Sequence, residues 1–235
     1  MTILSIAQNT LAEIRGQEQI TQLVGSSNET AVRALALIKR EVQELSRRHR
    51  WQVLTKEHEI TTADGTAAYP LPSDYRWAIP STWQDRTNDR RIIGPLLPTE
   101  WQRLKRDNFV GSMTKFFRIQ GNEMLIYPTP TAVESLFFEY VSNAVYLDVD
   151  GTTTKTDITA DTDSVLLDEH LVGLGFAWRW LKSIGLPFAE AYDAYEKERK
   201  YTFTRDGGAR VINMGASGNA AHSTRPHPAD VVSTS

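Results

Sequence analysis

The chain predicts an α+β fold: a helical bundle drawn from the N- and C-terminal segments, an inserted antiparallel β-sheet of sandwich or barrel-like form, and a flexible C-terminal tail. Three observations predict it. Apolar residues recur at spacings of three and four toward both ends, as one buried helix face requires. Between them, short aromatic and β-branched runs are cut by Gly and Pro, as strands joined by turns require. Beyond Gly207 large apolar side chains become sparse, so no core can form there.

Composition sets the outer bounds. A chain of 235 residues can bury a real core. It has no cysteine, which excludes disulfides, thiolate zinc sites and a cysteine nucleophile. Its apolar runs are too short for a membrane span, and Met1-Thr2-Ile3-Leu4 lacks the start of a signal peptide, so a soluble intracellular product is expected. A net charge of −3 argues against tight wrapping of duplex DNA, because phosphate neutralisation needs a basic face. It does not argue against surrounding DNA that passes through. Six Trp, eight Tyr and eight Phe supply rigid contact area for a core and for subunit interfaces.

Residues 1–54 read as the N-terminal helices. Ile3, Ile6, Thr10 or Leu11, and Ile14 share one side of a helix that Gly16 stops. Ser26-Ser27-Asn28-Glu29 matches a capping box, and Ala31, Leu35, Ile38, Val42 and Leu45 then form one seam of a helix ending near Trp51. That end is basic: Arg47-Arg48-His49-Arg50. These arginines (Arg47, Arg48, Arg50) fit a DNA-facing patch, inter-subunit salt bridges, or a solvated last turn that complements the negative end of the helix dipole.

Residues 55–147 read as the β-rich insertion. Thr55–Thr62 favours a strand entering the Asp64-Gly65 turn, and Pro70 and Pro72 hold Tyr69–Tyr75 extended. Trp77, Ile79 and Trp83 are placed over the sheet. Arg91–Leu96 is a further strand, and Thr99 caps a short helix through Asp107. Phe116–Ile119 and Met124–Tyr127 form a hairpin about Gly121, Pro128 ends it, and Leu136–Val141 follows as the next strand of one sheet of about six. In that last strand Leu136, Phe138 and Tyr140 share one face, opposite Phe137, Glu139 and Val141.

Residues 148–163 form a polar loop, entered through the string Tyr146-Leu147-Asp148-Val149-Asp150-Gly151-Thr152. The string resembles the DxDGT nucleophile loop of haloacid-dehalogenase-type phosphatases, which would make Asp148 the nucleophile and Asp150 the acid and base of a Mg²⁺-dependent phosphohydrolase. The context is against that alternative. The string follows an antiparallel meander where the phosphatases have the first parallel strand, and no glycine-rich or paired-aspartate strand end follows to hold the metal. A calcium loop through Asp148, Asp150, Asp157, Asp161 and Asp163 lacks the EF-hand spacing. The five histidines lie in separate elements or in the tail, so no metal ligand set or catalytic triad is assigned.

Residues 164–206 read as a C-terminal helical hairpin packed on the N-terminal helices. Asp161–Ser164 caps its first helix, with Leu167, Leu171, Leu174, Trp178 and Leu181 as the seam. Gly185 and Pro187 end it. The second helix runs from Phe188 to about Phe203, with Phe188, Tyr192 and Tyr195 on one face and Glu196 paired to Lys200. Residues 207–235 are the tail. Its exception is Arg210-Val211-Ile212-Asn213-Met214, that is Arg210, Val211, Ile212, Asn213 and Met214, whose apolar side chains suit docking on a partner by strand addition or groove filling.

The hairpin Phe117-Arg118-Ile119 to Tyr127-Pro128-Thr129-Pro130, the strand Leu136–Ala144 and the upstream Tyr69-Pro70-Leu71-Pro72-Ser73-Asp74-Tyr75 together resemble the head-to-tail adaptor (head-completion, tail tubular protein A-like connector) proteins of tailed bacteriophages. The likeness covers roughly residues 1–205 and contains no reactive group. It implies a non-enzymatic virion protein at the head–tail junction, assembled in the host cytoplasm. It implies a dodecameric homo-oligomeric ring between the portal protein and a downstream tail or nozzle protein, with DNA passing through the lumen. No cofactor and no membrane are implied, and Arg210–Met214 become the expected portal anchor.

Overall fold

Side-chain caps start the helices that flank the sheets. In a computed structural model, which describes residues 1–14, 16, 19–107 and 114–207, Thr2 Oγ1 accepts the Ser5 amide and opens α1 (Ile3–Glu13). Asn28 Oδ1 accepts the Thr30 amide at 2.8 Å and opens α2 (Glu29–Arg48). The expected Ser26–Glu29 box does not form: Ser26 Oγ takes the Asn28 amide, and Glu29 pairs forward with Arg33 at 2.7 Å. Buried Ala31, Ile38, Val42 and Leu45 match the expected seam, with Leu35 partly buried beside it. α2 stops at Arg48, and Trp51 instead leads a 3₁₀ turn over Gln52–Leu54.

The middle of the chain holds β1 (Thr55–Thr61), β2 (Ala68–Pro70), β3 (Tyr75–Ala78), β4 (Gln84–Asp85), β5 (Arg90–Arg91), α3 (Pro98–Arg106), β6 (Phe116–Gln120), β7 (Glu123–Tyr127) and β8 (Ser135–Ser142). They form two antiparallel sheets where one was expected. In the larger, β8 pairs along its length with β1, and its other edge is shared by β3 and β4, with β5 outermost. The hairpin of β6 and β7 joins β2 in a separate sheet. The split follows from Pro128 and Pro130, which break the ladder between β7 and β8. The strand expected at Arg91–Leu96 shortens to Arg90–Arg91, after which Ile93 makes a single parallel bridge to Phe116. α3 begins at Pro98 with Leu97 as its cap, and Glu100 rather than Thr99 accepts the free Leu97 amide, at 3.0 Å.

A third, small sheet forms in the polar stretch: β9 (Tyr146–Leu147) lies between β10 (Thr154–Lys155) and β11 (Ser164–Val165). None of the sheets closes into a barrel. Ser164 is therefore a strand residue and not a helix cap; Asp168 Oδ1 accepts the Leu171 amide at 2.9 Å and opens α4 (Glu169–Ser183). α4 packs on α1, α2 and α5 (Ala189–Gly207) together, so it is apolar around most of its circumference. Its fully buried side is Leu171, Val172, Phe176 and Trp180, while the predicted Leu174 and Trp178 pack partly buried against the same core. Gly185 ends the helix at φ +75, a left-handed conformation suited to glycine. In α5 Tyr195 is buried, Tyr192 is 39% exposed with its ring edge-on to Trp178 at 5.2 Å, and Glu196 pairs with Arg199 at 2.6 Å.

Two cores result. The helical one gathers α1, α2, α4 and α5 with Trp51 and Tyr146. The sheet core is aromatic: Trp83 stacks on Phe138 at 3.9 Å between centroids and meets Phe117, tilted by 32°, at 4.0 Å. β8 serves both, because Leu136, Phe138 and Tyr140 enter the sheet core while Val141 enters the helical one.

Candidate functional site

The basic end of α2 is a consequence of where the helix stops. Arg47, Arg48 and Arg50 are all exposed near the last turn, where unpaired carbonyls favour positive charge. The structure does not keep them together as one patch. Arg48 Nη2 turns back to Glu44 Oε2 at 3.2 Å. Arg47 instead lies near Arg76, whose guanidinium is pulled down by burial and then by the Arg47 charge. Arg76 donates to Ser46 O and Ser46 Oγ, both at 2.9 Å, and lies 5.5 Å from the centre of the Trp77 ring. Among the described residues neither Arg47 nor Arg50 meets a carboxylate, so the positive surface is Arg47, Arg50 and the unforeseen Arg76. His49 in the middle of the run faces inward, stacked on Phe203 at 4.6 Å with Nε2 at 3.0 Å from Asp206 Oδ2.

Behind this end lies a buried ionic cluster that periodicity alone did not reveal. Glu41, wholly buried, sits among Ile38, Val42 and Leu45 on the inner face of α2. Arg179 of α4 reaches it, Nε to Glu41 Oε2 at 2.5 Å, and continues to Glu44 Oε2 at 2.8 Å. Burial lowers the Arg179 guanidinium, and its two carboxylate partners more than reverse this. Tyr195 is pushed up by burial and then by Glu41. Gly175 makes the arrangement possible, since a Cβ there would strike the Glu41 carboxyl. The signal for this cluster was a charged residue inside an apolar seam of α2, matched by a glycine and an arginine one turn apart on α4. Its chemistry is that of a clamp between two helices, because all its groups are withdrawn from solvent except part of Glu44.

The aspartates that invited phosphatase and calcium readings are spent on local structure. Asp150 accepts from the Thr152 and Thr153 amides, both at 2.9 Å, and from Thr153 Oγ1 at 2.6 Å, which holds its carboxyl far below the usual range. That is a turn-forming side chain and not a proton donor near neutrality. Asp148 pairs with Lys155 at 3.0 Å, and Lys155 also reaches buried Asp163 at 3.0 Å. Asp163 takes the Thr159 and Ala160 amides, Asp161 takes those of Leu23 and Val24, and Asp157 pairs with Lys39 at 2.6 Å. Asp74, inside the quoted Tyr69–Tyr75 segment, is a similar pin: Lys56, Tyr140 and Ser142 all donate to it between 2.7 and 2.8 Å.

Arg210–Met214 lie outside the described residues. α5 runs to Gly207, which is exposed, so the chain leaves the helical half at its surface. No described helix is long and apolar enough to cross a membrane.

A search among curated proteins returns no match. A protein-family model does match, that of the SU10 adaptor protein, and it spans residues 1–218 and so takes in both cores and the small sheet. A chain matched over that length, with helices at both ends and antiparallel sheets between, belongs to the SU10 adaptor protein family, a family of phage head–tail adaptors.

Proposed function

We propose that the chain closes into a ring between the portal protein and the next tail or nozzle protein, with DNA passing through its lumen. The observation that carries this reading is the extent of the family match, which continues past α5 to residue 218 and so includes Arg210–Met214. The role is structural: the protein works in the virion, at the head–tail junction, by holding two assemblies in register. A ring of one chain needs two different surfaces that fit each other and close by rotation, and the resemblance described above implies twelve copies. Arg210–Met214 anchor the ring to the portal, their apolar side chains docking as a short strand or in a groove. Arg47, Arg50 and Arg76 face a neighbouring subunit or the lumen, where scattered positive charge keeps DNA near the axis without gripping it.

Electron microscopy of the purified protein mixed with portal rings of the same virus tests this. A rotationally symmetric layer added to the portal is the expected result. Portals left bare by folded protein overturn the reading. Deleting residues 208–235 is expected to abolish attachment while leaving thermal unfolding unchanged, and attachment that survives the deletion removes the anchor.

A further inference from the structure

The geometry points to the surface through which one copy meets the next: the outer stripe of α2 on one subunit packs antiparallel against the outer stripe of α5 on its neighbour. This rests on the ring reading above and names the faces that close it. On α2 the residues turned away from the core are Glu29, Ala36 and Arg40, exposed and aligned at helical spacing. On α5 the corresponding stripe is Asp193, Lys197 and Lys200, opposite buried Tyr195 and Thr202. Each stripe is acidic toward its N terminus and basic toward its C terminus. Parallel packing would bring acid to acid and base to base, whereas antiparallel packing sets Arg40 against Asp193 and Glu29 near Lys200.

Spacing supports that register. Glu29 and Arg40 are separated by about 16 Å along α2 and Asp193 and Lys200 by about 10 Å along α5, a difference that the long Lys and Glu side chains span. Ala36, with almost no side chain, falls opposite Lys197 at the centre and allows close approach of the two helices. Val32 and Tyr201 flank the stripes, 52% and 60% exposed, and supply apolar area that a lone subunit leaves in water. The present partners of the outer charges, Glu29 with Arg33 and Arg40 with Glu44, are neighbours on the same helix and contribute little, so they yield readily to a partner chain. Because the two faces differ, the contact propagates head to tail, the type of contact that a ring requires.

The absence of native cysteine makes the test direct. Full-length Ala36→Cys and Lys197→Cys chains are mixed and mildly oxidised, both as concentrated protein and on portal rings, with association followed by sedimentation. The mixture is expected to give disulfide-linked dimers, each variant alone none, and the doubly substituted chain a ladder of covalent multimers. Arg40→Glu is expected to weaken association several-fold, and Asp193→Arg on the partner chain to restore it. Subunits that associate without the 36–197 link, or that link 36 to 36, overturn this interface while leaving the ring intact. Subunits that associate neither alone nor on portals overturn the ring and the interface together.

Discussion

The two cores solve the same problem with different materials. The sheet core excludes charge from its centre and fills it with stacked rings, Trp83 between Phe117 and Phe138, while its ions sit at the margin, where Lys115 bonds Asp85 at 2.5 Å and also meets Glu134. The helical core carries its ion pair at the centre, Glu41 with Arg179, in a space that only Gly175 leaves open. Aromatic stacking is forgiving of small displacements because its energy is spread over many atom contacts. A buried ion pair is unforgiving, since either partner left alone is far costlier than the pair is stabilising. The sheet half is thus held by area and the helical half by a specific fit.

That contrast can be broken at defined points. Trp83→Ala is expected to cost the most, about 4 kcal/mol, through a cavity between two rings. Calorimetry should still show one transition, because β8 belongs to both cores; two separated transitions would make the halves independent. Arg179→Met strands Glu41 and is expected to cost about 3 kcal/mol in urea unfolding, whereas replacing Glu41 and Arg179 together by apolar residues should recover much of that loss. A double variant as unstable as Arg179→Met would mean that the pair contributes more than its own desolvation costs. Gly175→Ala, one methyl group, should cost about 2 kcal/mol by overpacking against Glu41. Asp168→Ala removes the α4 cap together with a loose, exposed pairing to Arg205 at 3.7 Å, and should cost about 1 kcal/mol, read as a small drop in melting temperature.

Acid distinguishes the halves least. Asp85 in the sheet half, Asp74 at the junction and Asp163 just before the last strand of the small sheet are each raised by burial, but hydrogen bonds and lysine partners leave them below their ordinary value of 3.8. Their folded values lie below the unfolded ones, so the stability they supply is complete above that value and is lost as pH falls through and beneath it. Denaturation midpoints should therefore be flat near neutrality and decline below about pH 4. Asp85→Asn should make that decline shallower.

What could be read from sequence depended on the range of the interaction. The α2 seam, the Gly185 stop and the alternation of β8 are set by neighbours within a few positions, and all stand as read. Asp161–Ser164 reads locally as a helix cap, but the partner of Ser164 is Leu147, far back in the chain, and no local pattern announces such a pairing. α4 misled for another reason. A helix surrounded by three others has no single apolar stripe, so the Leu174–Trp178 line was a real surface but not the deepest one. Of the arginine patch, the exposure of Arg47 and Arg50 was legible, but Arg76 and the capture of Arg48 by Glu44 depend on tertiary placement.

β8 runs from Leu136 in one core to Val141 in the other, with β1 bonded along one edge. Its position has a mechanical side. β1 and β8 are paired Thr55 to Val141, and beyond that pair both strands lead into the helical core, through Leu54 and through Val145, so a pull that separates the two halves is shared by two covalent strands side by side. In the joint proposed above, where the thrust of packaged DNA would meet the drag of a tail, such a paired tie-rod divides the load between two strands bonded to each other along their length.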